Sequence, residues 1–381
     1  MNVAEQIVNQ LVDAGVHRIY GIVGDSLNPI VDAVRKTGGS KKGGIDWIHV
    51  RHEEAAAFAA SAEAQLTGKL AVCAGSCGPG NLHLINGLYD ANRTGAPVLA
   101  IASHIPSVQI GSTYFQETHP DRIFEECSVY NELISSAAQS PRTVNSAIRH
   151  AVGLGGVSVI TLPGDVSDLK AVEHVPTYAP ARPATLAPNA TDIEEAAALL
   201  NKADKVAIFA GAGVEGAHDE VIALADALKA PIGHSLRGKH FIQYDNPFDV
   251  GMTGLLGYGA AAEGMNDADV LILLGTDFPY DQFLPDTPTI QVDTHAEKLG
   301  RRTDVGLAIH AQVKPFIEAL LPHLRAGRSD SFLKSKIKKH SEIMHAPVGA
   351  YTRNVEKMRP IHPEYAAHLL NETAAKDAIF T

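Results

Sequence analysis

The sequence is short of positive charge, of cysteine and of long apolar runs, and each shortage removes a class of function. Lys and Arg number 32 against 43 Asp and Glu, a formal charge of −11. No basic run and no aromatics interleaved with Lys or Arg offer a footprint for phosphate, so nucleic acid is not an expected partner. The three cysteines, Cys73, Cys77 and Cys127, are an odd set without CxxC spacing, which fits neither a disulfide framework nor a zinc site. They are expected as reduced thiols packed like small apolar side chains. No apolar run approaches the roughly 18 residues of a membrane-spanning helix. The opening MNVAEQIVNQLVDAGV carries Glu5 and Asp13 where a secretory signal needs a basic start and an apolar stretch, so a cytoplasmic protein is expected. No repeat and no low-complexity tract is present.

What remains is ordinary soluble composition on a long chain. With 381 residues, 45% apolar and 20% charged, two or three domains are expected. HRIYGIVG, IDWIHV, LAVCAGS, PVLAIAS and GVSVITLP read as buried strands separated by stretches with helical spacing, such as EEAAAFAASAEAQLTG. Such alternation predicts a parallel sheet covered on both faces. Pro176, Pro180, Pro183 and Pro188 mark a linker over 171–190, because proline suits neither a helix interior nor a central strand. A second α/β domain over 191–322 follows, with strands at KVAIFAGAG, APIGHSL, ADVLILLGTDF and TIQVD. Residues 323–381 read as a charged surface connection with an amphipathic helix around Phe332 to Met344, then a helix and the opening of a strand at KDAIFT.

Four stretches carry candidate chemistry. RHEEAAAFAA places Glu53 and Glu54 at the start of an Ala-rich helix. Both could simply complement the helix dipole. Neighbours differ by about 100° around a helix, however, so one carboxylate can be driven against the packing face, where a buried Glu holds a proton more tightly. GAGVEG at 211–216 matches GxGxxG between a strand and a helix, which suits a pyrophosphate at a helix N-terminus. A tight turn with no ligand is the competing explanation, and the next strand ends at Ser235 and Leu236 where an NAD site needs an acid. GSCGPGN at 75–81 could present backbone donors to a ligand. SVQIGSTYFQETHP follows a strand end, where sites in open α/β sheets lie, and can equally be a plain loop with one buried aromatic. His49 and His52 lack the spacing of a zinc-binding helix.

Together, GDSLNPIVDAV, RHEEAAAFAASAEAQLTGKLAVCAGSCGPGNLHLINGLYDANR, VLAIASHIPS, GSTYFQETHP, GVSVITLPGDV, SLRGK, YDNPFDVGMTGLLGYGA and LLGTDFPY resemble the thiamine-diphosphate enzymes of the pyruvate oxidase group, nearest to the quinone-dependent pyruvate dehydrogenases (pyruvate:quinone oxidoreductases). The resemblance implies two doubly wound parallel-sheet α/β domains: a pyrimidine-binding domain over 1–170 and a Rossmann-like FAD domain over 191–322. It also implies a third α/β domain, holding Mg²⁺ and the diphosphate, that is absent here. The activity implied is oxidative decarboxylation of pyruvate to acetate and CO2, with electrons passing through FAD to a quinone. By the same resemblance, Glu53 hydrogen-bonds the aminopyrimidine of thiamine diphosphate, Pro79 and Gly80 lie near that ring, and Phe115 and Gln116 line the reaction chamber. FAD falls to Gly211, Gly213, Arg237, Gly238, Lys239, Thr253, Gly254, Leu255, Gly275, Thr276, Asp277, Phe278 and Asp293. The chain departs from the family at Ala311-Gln312, where Gly-Asp is usual near the adenine.

The Gly-Asp-Gly motif for Mg²⁺ is missing. Only VGDS and PGDV occur, and both match first-domain positions, so the chain is expected to be an incomplete, inactive portion. A homodimer or homotetramer is implied, with membrane contact at the inner face of the plasma membrane only through the absent C-terminal part. An acetolactate-synthase-like carboligase and a non-catalytic cofactor-binding or assembly module are the alternatives.

Overall fold

Strands such as Ala71–Gly75, Val98–His104 and Val157–Pro163 are buried at every position, which requires cover on both faces of the sheet. The computed structural model describes residues 1–173, 178–179, 184–345 and 347–380. It divides into two units, Met1–Arg182 and Pro183–Thr381. Of the expected linker, Pro176, Pro180 and Pro183 lie outside the described residues.

The first unit holds the strands β1 (Arg18–Gly21), β2 (Asp46–His49), β3 (Ala71–Gly75), β4 (Val98–His104), β5 (Tyr130–Leu133) and β6 (Val157–Pro163). They form a six-stranded sheet in the order β2-β1-β3-β4-β6-β5, with every pairing parallel. Its helices are α1 (Val3–Asp13), α2 (Asn28–Lys36), α3 (Glu53–Thr67), α4 (Pro79–Thr94), α5 (Pro120–Ile123), α6 (Ser140–Leu154) and α7 (Gly164–Asp168). Alternation along β4 divides the core in two. Leu99 and Ile101 join Ile7 and Leu11 of α1, Ile30 of α2 and Ile148 of α6. Val98, Ala100 and Ala102 join Ala56, Ala57 and Ala60 of α3 and Leu84 and Leu88 of α4.

The second unit contains α8 (Ala190–Lys202), β7 (Val206–Ala210), α9 (His218–Leu228), β8 (Ile232–His234), α10 (Leu236–Ile242), β9 (Asp249–Met252), β10 (Tyr258–Gly259), α11 (Ala261–Asn266), β11 (Val270–Leu274), β12 (Thr289–Asp293), β13 (Leu307–His310), α12 (Val313–Leu320), α13 (Ser331–His345), α14 (Pro347–Thr352) and α15 (Pro363–Thr373). The seven-stranded order is β10-β9-β8-β7-β11-β12-β13, with only β10 antiparallel to its neighbour. Ile208, Ile272 and Ile290 face α8, α9 and α12, while Phe209, Leu271 and Leu273 face Met265 of α11 and Phe278.

Sequence and structure part company mainly at sheet edges. β5, β9, β10 and β13 were not expected, and β5 and β13 are edge strands with half-buried, partly polar positions that lack a continuous apolar signature. The strand expected at KDAIFT is not formed over 376–380, where Ile379 and Phe380 are exposed; a strand needs a neighbour to take its backbone hydrogen bonds. Nor is 331–345 a mere surface connection. Leu333 of α13 joins the core, and Lys336, only 4% exposed, reaches Glu263 and Asp267 near α11. Burial opposes its charge, but the two carboxylates outweigh burial and hold its pKa above the ordinary lysine range.

Helices α3 and α4 pack closely in the first unit. A Cβ on Gly87 would lie 2.5 Å from Ala57 Cβ and 2.6 Å from the Phe58 backbone nitrogen, so the absence of a side chain sets the helix spacing. Gly87→Ala is therefore expected to destabilise this unit by about 1–3 kcal/mol through overpacking. Gly153→Ala on α6, where a Cβ meets open space, should instead stabilise by up to about 1 kcal/mol. Urea unfolding of both variants checks the pair; equal midpoints would contradict this packing.

Candidate active site

The first turn of α3 is built from its cap inward. His52 is the N-cap in extended backbone, and its Nδ1 accepts the Glu54 N–H at 3.2 Å, satisfying one of the amides a helix start leaves unpaired. Glu53 follows as the first helical residue, where the helix dipole favours a carboxylate. It is only 7% exposed. Pro79 opens α4, and Gly80 and His83, three residues apart, share the face turned toward α3. A Cβ on Gly80 would lie 3.1 Å from Glu53 Oε1, and His83 Nδ1 lies 3.0 Å from Glu53 Oε2. Glu53 is buried on the same face of α3 as Ala56, Ala57 and Ala60, which pack in the core, while its carboxylate meets an imidazole. Glu54 is partly exposed and accepts the Asn86 side-chain amide at 2.7 Å.

Beside this pair, hydroxyls fix the loop between β3 and α4. Ser103 Oγ donates to the Gly75 carbonyl at 3.1 Å, which leaves it to accept from Ser26 Oγ at 2.6 Å. Ser26 in turn accepts from Ser76 Oγ at 3.1 Å and from the Cys77 N–H at 3.0 Å. Asn81 Nδ2 donates to the Ser103 carbonyl at 2.7 Å. The protons of this chain all run one way. β1 and β3 are the strands between which the sheet order reverses, the position where open α/β sheets place ligands.

Gln116 reaches the same loop from the far side. Its backbone is left-handed, with φ 65°, and a Cβ on Gly78 would come within 2.8 Å of Gln116 Cβ. Cys77 Sγ donates to Gln116 Oε1 at 3.6 Å. Glu117 ties the loop to itself by accepting the Gly111 and Tyr114 N–H groups, whereas Phe115 stands 78% exposed. Asp165 of PGDV accepts both the Ser107 N–H, at 2.8 Å, and the Ser107 hydroxyl, at 2.5 Å. Burial pushes the Asp165 pKa up, and these bonds outweigh it, leaving the pKa below the ordinary range.

In the second unit the sequence-predicted residues gather at the carboxyl ends of β7, β8, β9, β11 and β12. Gly211 and Gly213 donate their N–H groups to the Leu274 and Gly275 carbonyls, each at 2.9 Å. A Cβ on Gly213 would lie 2.6 Å from Gly275 Cα, and one on Gly238 would overlap the Ala210 carbonyl. These glycines serve contact between backbones, and α9 begins only at His218. Asp277 is held by Arg301 and Arg302. Thr276 is buried, its carbonyl accepting from Gln291 at 3.1 Å. Phe278 packs edge-on against Phe209 and Tyr280. Asp293 Oδ1 accepts the His295 N–H at 2.9 Å. Thr253 is buried, Leu255 exposed, and Gly254 lies against Phe278 and Tyr280. Arg237 and Lys239 are exposed on α10. Gln312 is engaged by the preceding segment: its N–H donates to the Leu186 carbonyl at 2.9 Å and its Oε1 accepts the Leu186 N–H at 3.3 Å.

His83, Ser26 and Ser103 carried no role in the sequence. The only trace of His83 was its three-residue spacing from Gly80; the serines gave none, since they meet across strands far apart in the chain.

Two doubly wound α/β units, one with a buried carboxylate at a helix start beside a glycine loop, define a class of cofactor-binding enzyme domains. Residues 1–123 match the N-terminal TPP binding domain of thiamine pyrophosphate enzymes and residues 193–320 match their central domain. The chain belongs to the thiamine pyrophosphate enzyme family and carries these two domains. It is 54% identical over 334 residues to an uncharacterized 42.6 kDa protein in the isoamylase 3′ region of Pseudomonas amyloderamosa, covering 87% of this chain and 83% of that one. A putative thiamine pyrophosphate-containing protein, YdaP, of Bacillus subtilis is 36% identical, covering 99% and 65%. Pyruvate oxidase of Lactiplantibacillus plantarum is 29% identical, covering 98% and 62%. A probable acetolactate synthase large subunit of Methanocaldococcus jannaschii falls in the same range, at 31% over 86% and 56%. The chain therefore spans less than two thirds of the length of the latter three.

Among the described residues no helix is long and apolar enough to cross a membrane. The cysteines are free and buried. Burial pushes the Cys73 thiol up to about 12 and the Cys127 thiol up to about 11. Since the thiolate is the reactive form, iodoacetamide at pH 8 should leave both unmodified in the folded protein and alkylate all three in urea, as read by peptide mass spectrometry. Rapid labelling of Cys73 in the folded state would contradict its burial.

Proposed function

We propose that this chain forms part of a thiamine-diphosphate enzyme that decarboxylates pyruvate oxidatively to acetate and CO2 and passes the electrons through FAD to a quinone. The observation that carries the proposal is the buried Glu53 carboxylate, with Oε1 kept open by the missing side chain at Gly80. Thiamine diphosphate supplies, when bound, the carbon nucleophile and electron sink that protein side chains lack. Glu53 would share a proton with the pyrimidine nitrogen through Oε1. Pro79 and Gly80 would border the ring, and Gln116, fixed against Gly78, would approach the substrate together with Phe115.

For the second unit the proposed ligand is FAD. Backbone contact fills the crevice between the β7 and β11 loops, which disfavours NAD laid across that switch point. The flavin pyrophosphate would fall to Arg237 and Lys239 on α10 and to the loop Thr253–Leu255, with Asp293 at the adenosine side. Mg²⁺ and the diphosphate would be held by a further domain, in a homodimer or homotetramer whose quinone and membrane contacts also lie there. The match to an acetolactate synthase favours a second reading, a carboligase that holds FAD without redox use. Anaerobic bleaching of the flavin by pyruvate, reversed by a soluble quinone, supports the oxidase; acetolactate formation without bleaching supports the carboligase.

In the complete enzyme Glu53→Gln should lower turnover by about 10² or more, the usual worth of a positioned acid–base group, while FAD content is kept. Glu54→Gln should be mild, and equal losses in both variants would defeat the assignment. Arg237→Ala should weaken FAD binding at least about tenfold, the scale of a charge-assisted phosphate contact; titration of the apoprotein followed by flavin fluorescence measures it, and unchanged affinity would move the pyrophosphate elsewhere.

A further inference from the structure

We infer that His83 is the positioning residue of Glu53: its Nδ1–H holds Oε2, so that Oε1 alone is presented at the gap above Gly80. The inference rests on the proposed role of Glu53 and deepens it. Three observations support it independently of any bound group.

The first is distance: His83 Nδ1 and Glu53 Oε2 are 3.0 Å apart, and since an ionised carboxylate only accepts, a Glu53 carboxylate at this distance requires the proton on Nδ1. In the neutral ring Nε2 is then bare. The second is orientation. The His83 ring stacks on His52, with centroids 4.3 Å apart and planes 26° from parallel, and His52 is itself fixed as the cap of α3 through the Glu54 N–H. The cap, the ring and the carboxylate therefore form one connected set across two helices. The third is helix spacing, because Gly87 lets α4 close onto Ala57 one turn beyond His83 and brings the ring within reach. A free glutamate rotates about three side-chain bonds; one whose Oε2 is tethered keeps a single oxygen aimed at the gap, which is what a shared proton with a ring nitrogen requires.

The opposite arrangement is chemically distinct. A protonated Glu53 donating to a bare Nδ1 would place the ring proton on Nε2. The two cases differ in tautomer, and long-range ¹H–¹⁵N spectra of the ¹⁵N-histidine-labelled chain at pH 8 separate them, the His83 signals being identified by their loss in His83→Phe. A proton on Nδ1 is the expected result, with reversion to Nε2–H in Glu53→Ala; an Nε2–H ring in the unsubstituted chain overturns the inference without any assay of activity. In the complete enzyme His83→Phe keeps the stack and removes the donor, and should lower kcat about 10- to 100-fold, as loss of a partner that orients an active-site ligand does, with KM little changed. His83→Asn, which keeps an N–H donor, should recover most of the loss; a merely structural ring would make Phe the milder substitution. If Glu53→Gln is itself fully active, the proposed function fails at Glu53. If Glu53→Gln is inactive while His83→Phe turns over normally, Glu53 stands and the positioning role of His83 falls.

Discussion

Everything at the candidate site depends on how closely α4 can approach α3. Side chains of ordinary size at the crossing would hold the helices apart, but Gly87 lies against Ala57 and the Phe58 backbone, and the alanines of α3 continue that thin face. Two consequences follow from one packing distance. His83 comes within hydrogen-bond reach of Glu53, and the backbone at Gly80 comes close enough to Oε1 that a Cβ there would crowd it. The same small residues that make the helix weakly amphipathic therefore make the carboxylate partnered on one side and accessible on the other.

The hydroxyl chain of Ser76, Ser26 and Ser103 plays the corresponding part for the loop beneath. It links the ends of β1, β3 and β4, and each hydroxyl spends its single proton on the next acceptor, so the loop holds one shape. In the second unit close backbone contact does most of this work, with the Ser235 hydroxyl accepting the Gly238 N–H. Gly211, Gly213, Gly238 and Gly275 interlock the loops after β7, β8 and β11, and the glycine-rich motif is explained by that contact before any ligand is invoked. The two units thus show two ways of stabilising a sheet's reversal point, one by side-chain hydrogen bonds and one by removing side chains.

The fully apolar runs determined their own fate. The short runs of β3, β7 and β11, apolar throughout and too short for a core helix, read as central strands of a covered sheet, and proline at 176–188 marks the expected boundary between the two domains. Edge strands escaped because half of each, as in β5 and β13, meets solvent and carries polar residues. α13 was legible as an amphipathic helix, but its charged stretch looked solvated, and only the docked helix reveals that Lys336 is buried between two acids.

At the site, the sequence by itself determined that Glu53 starts a helix, that small residues follow it, and that glycine loops succeed β3 and β7, because all of these are properties of neighbours along the chain. That His83 would be the partner of Glu53, that Ser26 would meet Ser103 across 77 positions, and that Gly213 would lie against Gly275 were decided only by the tertiary structure. Those contacts join residues whose separation in the chain is arbitrary. Their distances are set by sheet order and helix spacing, which no local pattern of residue types contains.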